Sequence, residues 1–191
     1  LLTASEVKFA HEDQQLVIST EPSGTGNTND VLVDLKKINI GDFMPFVLKD
    51  PKLEGAMTGN VMISDPFHNL MVDFETRLDR FYFENDSIGI LKLKGNYTAA
   101  SGNVAVNIIS DNDPYNFTAD MAYKAGDSTD NQLKGTINVA HSNIHILQRY
   151  LSTIFSDMNG NASGQLKISG RAQSQEVIGR VTLNDAAGTI E

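Results

Sequence analysis

Met158-Asn-Gly-Asn-Ala-Ser-Gly-Gln-Leu-Lys-Ile-Ser169 repeats the pattern of Leu53-Glu-Gly-Ala-Met-Thr-Gly-Asn-Val-Met-Ile-Ser64, which stands 105 positions earlier (158 − 53). Each copy places two glycines four residues apart and continues as an alternating apolar strand. The flanks match too, because Ile137-Asn138-Val139 and Ile38-Asn39-Ile40 each lead into a helix-like run that ends at the motif. By this alignment the run is six residues shorter in the first copy (160 − 137 = 23 against 55 − 38 = 17). The sequence therefore predicts one supersecondary unit that is used twice.

The repeat divides the chain into two related units. We expect the first repeat-like unit over residues 31–100 and the second over residues 133–191. The chain of 191 residues begins at Leu1 without an initiator Met, and its last residues, Ala187–Glu191, resemble the start of another strand. We therefore expect residues 1–191 to be a fragment of a longer, repeat-built β protein.

Alternation of apolar and polar residues predicts strands along most of the chain. The clearest case is Leu70–Leu78, where every second residue faces one side, which is typical of a half-buried strand. Similar segments follow at intervals of roughly ten residues, the spacing of a meander. Turn sequences at Gly95-Asn96, Ser110–Pro114 and Gly126–Ser128 are predicted to separate them. The alternation slips at Lys36-Lys37, where we expect a β-bulge.

Two segments have helical rather than strand periodicity. Gly41–Lys49 predicts a short turn of helix. Ser142–Asp157 predicts the one longer helix, which Ser142 can cap. Its apolar stripe consists of Ile144, Leu147, Leu151, Ile154 and Met158. That stripe would either pack on the sheet or plug one end of it.

These elements indicate an all-β fold with one or two short helices. About ten strands are expected, and a sheet with a continuous apolar face has to cover that face. One and a half helices cover only a few strands. Either the sheet closes on itself as a sandwich or barrel, or it curls into a trough whose apolar interior receives something else.

Composition and charge limit the possible partners. The net charge of −9, from 15 Lys and Arg against 24 Asp and Glu, disfavours nucleic acid and anionic membrane surfaces. The chain has no cysteine, so it has neither disulfides nor thiolate metal sites. No apolar run approaches the ~20 residues that span a bilayer, and no signal-peptide pattern opens the chain.

Three groups of side chains are candidates for chemistry, and each has a simpler structural explanation. His141 and His145 stand four apart and could face one metal ion, but a third ligand is not apparent. Carboxylates on one strand face could serve glycoside hydrolysis, although charges on the outer face of a strand are ordinary; they are Asp73, Glu75 and Asp79. Acidic residues in two turns could hold calcium but lack a regular ligand spacing; they are Asp111, Asp113, Asp127 and Asp130. We expect no catalytic residue, metal site or cofactor.

The second copy of the motif carries a family resemblance. The set Gly160, Gly164, Leu166, Ile168 and Gly170, followed by Ile178–Ala186, resembles the C-terminal repeats of TamB-like (translocation and assembly module) proteins of the AsmA-like superfamily. The helix-containing run before it and the stretch Asn85–Tyr97 are also similar to that family. The first copy departs from the pattern, since Asp65 stands where Gly170 closes the second motif.

The resemblance implies a fold and a role. The fold is a long β-sheet bent lengthwise into a U-shaped trough, a β-taco, with an apolar interior and a polar exterior. Such proteins are similar to bridge-like lipid transfer proteins, are anchored in the inner membrane of diderm bacteria and span the periplasm. They are associated with phospholipid transport to the outer membrane and with an Omp85-class outer-membrane partner. We therefore expect a periplasmic segment, not an enzyme, that contacts lipid acyl chains and adjoining repeats of the same chain.

The predicted lining of the groove is the set of alternating apolar residues on one face of the strands. Its members are Val61, Ile63, Val72, Phe74, Leu91, Leu93, Val104, Val106, Ile108, Phe117, Met121, Tyr123, Leu133, Ile137, Val139, Leu166, Ile168, Val181 and Leu183. Two alternatives stay open. One is a structural or adhesive β-repeat module with a packed core and no ligand. The other is a polysaccharide-active enzyme on a β-solenoid, which would need a polar cleft of carboxylates.

Overall fold

The computed structural model describes residues 6–22, 29–47, 52–84, 86–125, 132–147, 155–171 and 174–190. These residues form an all-β structure with one short α-helix. The strands are β1 (Glu6–His11), β2 (Gln14–Pro22), β3 (Asn29–Asn39), β4 (Leu53–Ser64), β5 (Met71–Phe83), β6 (Asp86–Thr98), β7 (Asn103–Asp111), β8 (Asn116–Lys124), β9 (Leu133–Asn143), β10 (Phe155–Arg171) and β11 (Ser174–Ile190). A 3₁₀ turn (Ile40–Asp42) and helix α1 (Met44–Val47) lie between β3 and β4, and a second 3₁₀ turn (Ile144–Leu147) follows β9.

The eleven strands form one antiparallel sheet in which each strand pairs with the next along the chain. This order confirms the predicted meander, with one strand more than expected. The sheet is not closed within the described ranges, so β1 and β11 are its two edges. Strongly twisted open sheets of this size curl, and the predicted all-β, curled-sheet class is confirmed.

Cross-strand register places most of the apolar residues of the strands on one face. Residues directly opposed in an antiparallel pair share a face. Ile63, for example, is opposed to Val31 on one side and to Val72 on the other. One such row crosses seven strands through Phe74, Gly95, Val106, Met121, Gly135, Ile168 and Val177. The alternation of apolar and polar residues along each strand thus produces a continuous apolar surface on the sheet.

The two copies of the motif share a backbone device. A bulge residue with a left-handed backbone precedes each copy, Lys37 at φ 51° and His141 at φ 57°. The amide N–H of Lys37 donates to the hydroxyl of Thr58 at 3.0 Å, and that of His141 donates to the hydroxyl of Ser163 at 2.9 Å. The bulge at Lys37 confirms the phase slip that the sequence predicts there. The hydroxyl between the two motif glycines therefore holds the bulge of the neighbouring strand.

Removing either hydroxyl is expected to destabilise the sheet by about 1 kcal/mol, because the bulge N–H loses its partner. The variants are Thr58→Ala and Ser163→Ala, with Thr58→Ser as the matched control that keeps the donor–acceptor pair. Urea titration followed by circular dichroism measures the change. Equal midpoints for Thr58→Ala and Thr58→Ser would contradict this role.

The structure corrects the alignment of the flanks. The side-chain oxygen of Asn39 accepts from the amide of Gly41 at 3.1 Å, and that of Asn143 accepts from the amide of His145 at 2.8 Å. The equivalent residues are thus Asn39 and Asn143, whereas Ile137-Asn138-Val139 lies in the middle of β9. Counted from these asparagines, the runs to the first glycine differ by one residue (160 − 143 = 17 against 55 − 39 = 16). The six-residue difference expected from the sequence is wrong.

The helix predicted over Ser142–Asp157 is also wrong at both ends. Ser142 belongs to β9, where its hydroxyl donates to the carbonyl of Asn116 at 2.6 Å. Ile144–Leu147 is a 3₁₀ turn, and Phe155–Asp157 already lies in β10, which pairs with β11. Residues 148–154, which carry part of the predicted stripe, lie outside the described residues. Strand pairing and side-chain bonds to the neighbouring strand override the helical spacing.

Gly95-Asn96, predicted as a turn, lies inside β6. The turn after β6 comes four residues later, where the amide of Gly102 donates to the carbonyl of Ala99 at 3.2 Å. A Cβ on Gly95 would lie 2.5 Å from the ring of Phe74, which is directly opposed to it. This glycine therefore serves side-chain packing on the sheet and not a turn.

The buried part of the apolar face is small. Its cluster consists of Ile40, Leu78, Phe81, Ile88, Leu91 and Tyr115. Leu78 and Leu91 are directly opposed on β5 and β6, and each is only 5% exposed. The first 3₁₀ turn covers this region, since Ile40 belongs to the same cluster. The rest of the face lies beyond this covered patch.

Candidate functional site

All nineteen predicted lining residues lie on the apolar face of the sheet. Their cross-strand partners connect them without a break from β4 to β11. Leu91 alone among them is buried, Leu183 is 51% exposed, and the other seventeen are half-buried. A packed interior would bury most of this set. The face thus combines an apolar surface with access from outside.

The apolar face bends around a pocket at one end, which we call the end pocket. It encloses about 210 Å³, and its lining consists of Phe83, Tyr115, Phe117, Ile137, Val139, Ser142, Asn143, Ile144, Ala162, Leu166 and Val181. Phe83 is on β5 and Val181 on β11, six strand spacings apart. These strands would be roughly 29 Å apart in a flat sheet. Because they line one pocket, the sheet curls toward its apolar face here.

The side-chain oxygens around the end pocket are bonded within the chain. Ser142 donates to the carbonyl of Asn116, and the side-chain oxygen of Asn143 accepts from the amide of His145. The phenol of Tyr115 donates to Asp86 Oδ1 at 3.4 Å. Ile144 closes the pocket and is only 2% exposed. The surface that remains for a ligand is apolar.

Asp86 joins the strands to the second 3₁₀ turn. Its Oδ1 lies 3.0 Å from Nδ1 of His145, and the same oxygen accepts from Tyr115. Burial of the phenol, followed by the charge of Asp86 and its hydrogen bond, raises the pKa of Tyr115 from 10.0 to about 12. Tyr115 and His145 therefore meet at one oxygen of Asp86, which links β6 to the closing turn.

The raised pKa of Tyr115 predicts a loss of stability at high pH. The folded state keeps this proton up to about pH 12, whereas the unfolded chain releases it near pH 10. Tyr115 therefore stabilises the fold fully below pH 10, and the contribution falls as pH rises from 10 to 12. Between pH 9 and pH 12, we expect the stability of Tyr115→Phe to fall less steeply with pH than that of the Tyr82→Phe control. Denaturant midpoints measured across this range give the two curves of stability against pH. Parallel curves would contradict it.

The opposite face of the sheet is polar, and it carries the carboxylates considered for catalysis. Arg77 donates to Asp79 at 2.8 Å, and Lys94 lies 3.5 Å from Glu75. Asp73 is exposed and borders a shallow depression of about 860 Å³ that runs from β5 to β11, in which charged side chains such as Lys94 stand beside a mainly apolar lining. A concavity on each face is what strong twist produces in a sheet. Glu75 forms a cross-strand ion pair and Asp79 a same-strand ion pair at this surface.

The histidines and turn aspartates that the structure describes have separate surroundings. His141 is the bulge residue of β9, and His145 contacts Asp86. Asp111 contacts Lys92 at 2.9 Å, and Asp127 and Asp130 lie outside the described residues. Within the described part of the chain, no three His, Cys, Asp or Glu side chains are grouped as a metal site.

Six residues of the end pocket are missing from the predicted lining: Phe83, Tyr115, Ser142, Asn143, Ile144 and Ala162. Tyr115 directly follows the predicted turn Ser110–Pro114, and the alternation assigns it to no strand face. The hydroxyl of Ser110 donates to its carbonyl at 2.5 Å, and its side chain is buried. Ala162 stands between the two motif glycines and has too small a side chain to mark a face. The signal that could have found it is the repeat itself, since position 162 aligns with Met57 of the covered core.

No helix among the described residues has the length and apolar character needed to cross a membrane. Comparison of the chain with protein-family models, with curated proteins and with solved structures finds no match. The function is therefore argued from the apolar face and the end pocket.

Proposed function

We propose that this chain is a segment of a periplasmic apolar-groove protein that supports phospholipid transport to, or protein assembly in, the outer membrane. The observation that carries the proposal is the half-buried state of seventeen of the nineteen apolar residues aligned on one face. Large accessible apolar surfaces mark interaction sites in proteins. The resemblance of the second motif to TamB-like proteins indicates that the ligand of this apolar face is a lipid acyl chain.

The energetics of an acyl chain suit such a face. Each buried methylene contributes about 0.8 kcal/mol, so a chain lying along the strands gains on the order of 10 kcal/mol without a polar contact. The outer face carries exposed ion pairs such as Lys92–Asp111, which keep that face hydrated. Transfer along the groove needs no catalytic group. In this proposal, adjoining repeats of the same chain extend the groove. An Omp85-class protein contacts the end of the groove at the outer membrane.

Placing a carboxylate on the apolar face tests this function. Leu166→Asp is expected to abolish most lipid retention by the purified chain, because a bound acyl chain would desolvate the charge. Lys167→Asp is the matched control, since the neighbouring residue of the same strand is exposed on the other face. Native mass spectrometry and lipid extraction measure the lipid, and circular dichroism checks the fold.

The competing function is a structural or adhesive β-repeat module without a ligand. The buried cluster around Leu78 and Leu91 is the observation in its favour. A folded Leu166→Asp variant that retains or transfers as much lipid as Lys167→Asp would support this alternative. So would a purified wild-type chain that never retains lipid.

A further inference from the structure

We propose that the end pocket receives the methyl end of a single acyl chain, so that the chain lies in the groove with its head group directed away from Ile144. The inference rests on the proposed function and specifies the orientation of its ligand. It follows from the size of the pocket, from the state of its polar atoms and from its continuity with the apolar face.

The size fits one narrow apolar segment. An apolar cavity of roughly 150 Å³ in a protein binds benzene, and the end pocket encloses about 210 Å³. It accommodates the last part of an alkyl chain but not a whole lipid. The remainder of the chain must lie outside it.

The chemistry selects the methyl end. The side-chain oxygens of Ser142, Asn143 and Tyr115 are bonded to Asn116, His145 and Asp86, and the surface that faces the pocket is almost wholly apolar. A phosphate or carboxylate placed there would lose its water without gaining a hydrogen bond, which is strongly unfavourable. A methyl group has no hydrogen bonds to water that it could lose, so its burial carries no such penalty.

Continuity with the groove sets the path of the remaining chain. Five residues belong both to the pocket and to the predicted lining: Phe117, Ile137, Val139, Leu166 and Val181. From Val181 and Leu166 the apolar rows continue across the sheet toward β4. The second 3₁₀ turn closes the other side, where Asp86 contacts His145. The pocket is thus an end wall of the apolar face.

Paramagnetic relaxation in the full chain tests this orientation. The probe is a long-chain fatty acid that carries a nitroxide either at its methyl end or beside its carboxylate, added to protein with labelled Ile, Leu and Val methyl groups. The methyl-end label is expected to broaden Ile144 and Val181 most strongly. The carboxylate-side label is expected to broaden methyl groups of the open face, such as Ile63 and Val72, and to spare Ile144.

The outcomes separate this inference from the proposed function. Broadening of the open face by both labels, with Ile144 spared, overturns the end pocket and leaves the groove in place. Strong broadening of Ile144 by the carboxylate-side label overturns the orientation. Absence of broadening with either label overturns both the inference and the proposed function.

A variant that fills the end pocket with a side chain provides a second test of the proposal. Ala162→Leu adds a side chain at a position that is 4% exposed and lines the pocket. Occupancy of the pocket by the methyl-end label is expected to fall roughly tenfold or more, while broadening of the open face persists. Ala122→Leu, on the exposed outer face, is the control and leaves both patterns unchanged. Unchanged broadening of Ile144 in folded Ala162→Leu would contradict the proposal.

Discussion

Gly164→Val is expected to lower the free energy of unfolding by roughly 3–5 kcal/mol. Gly164 has φ +154°, and a Cβ built on it would overlap the carbonyl oxygen of Arg180 and lie 2.8 Å from the Cα of Val181. Both are backbone atoms of β11, so no side-chain rotation relieves the contact. Because a domain is stable by only about 5–15 kcal/mol, this change removes a large fraction of the stability. Urea denaturation followed by circular dichroism measures it.

The repeat predicts the same effect at Gly59→Val. Gly59 has φ +148°, and its Cβ would overlap the carbonyl oxygen of Glu75 and lie 2.6 Å from the Cα of Thr76. Gly41→Ala is the control, since the nearest atom to its Cβ is a side-chain oxygen of Asn39 at 3.3 Å. Its cost is expected to stay below about 1 kcal/mol. Similar losses at Gly41 and Gly164 would show that the close backbone approach does not matter.

The close approach at Gly164 also bears on the site. Gly164 lies between Ala162 and Leu166, both of which line the end pocket. Its partner Val181 lines the pocket from the adjacent strand. A side chain at position 164 would push β11 away and open this wall. The motif glycines therefore shape the apolar face as well as stabilise it.

Much of the fold follows from the alternation of apolar and polar residues, which has a period of two. The alternation in Leu70–Leu78 predicts which side chains share a face, and pairing with β4 and β6 places Phe74 between Val61 and Gly95. The phase slip at Lys36-Lys37 appears as a bulge because an extra residue has to be accommodated between paired strands. Such features depend on local order in the sequence, and the sequence therefore predicts them.

The errors come from interactions that are distant in sequence. Ser142–Leu147 has helical spacing, yet its polar side chains bond to Asn116 and to the turn itself. Gly95 resembles a turn glycine, yet its place is set by the ring of Phe74 on the next strand. The end pocket joins β5 to β11 and depends on the curl of the sheet, which no single segment encodes. Only the folded sheet brings these residues together.

Leu91→Ala is expected to cost about 2–5 kcal/mol of unfolding free energy, the range for truncating a buried leucine. Leu91 is 5% exposed and is directly opposed to Leu78, which is equally buried. Ile40 covers the same cluster from the first 3₁₀ turn, so the cavity left behind cannot fill with water freely. Chemical denaturation of the purified variant measures the loss.

Val61→Ala is the contrasting variant, because Val61 lies on the same face but is half-buried. Its expected cost is about 1 kcal/mol, since the removed methyl groups are already partly in contact with solvent. The buried patch around Leu91 then stabilises the sheet, and the half-buried remainder is accessible from outside. Equal, large losses at both positions would mean that the whole face is closed in solution. That result would favour the packed structural module over the lipid groove.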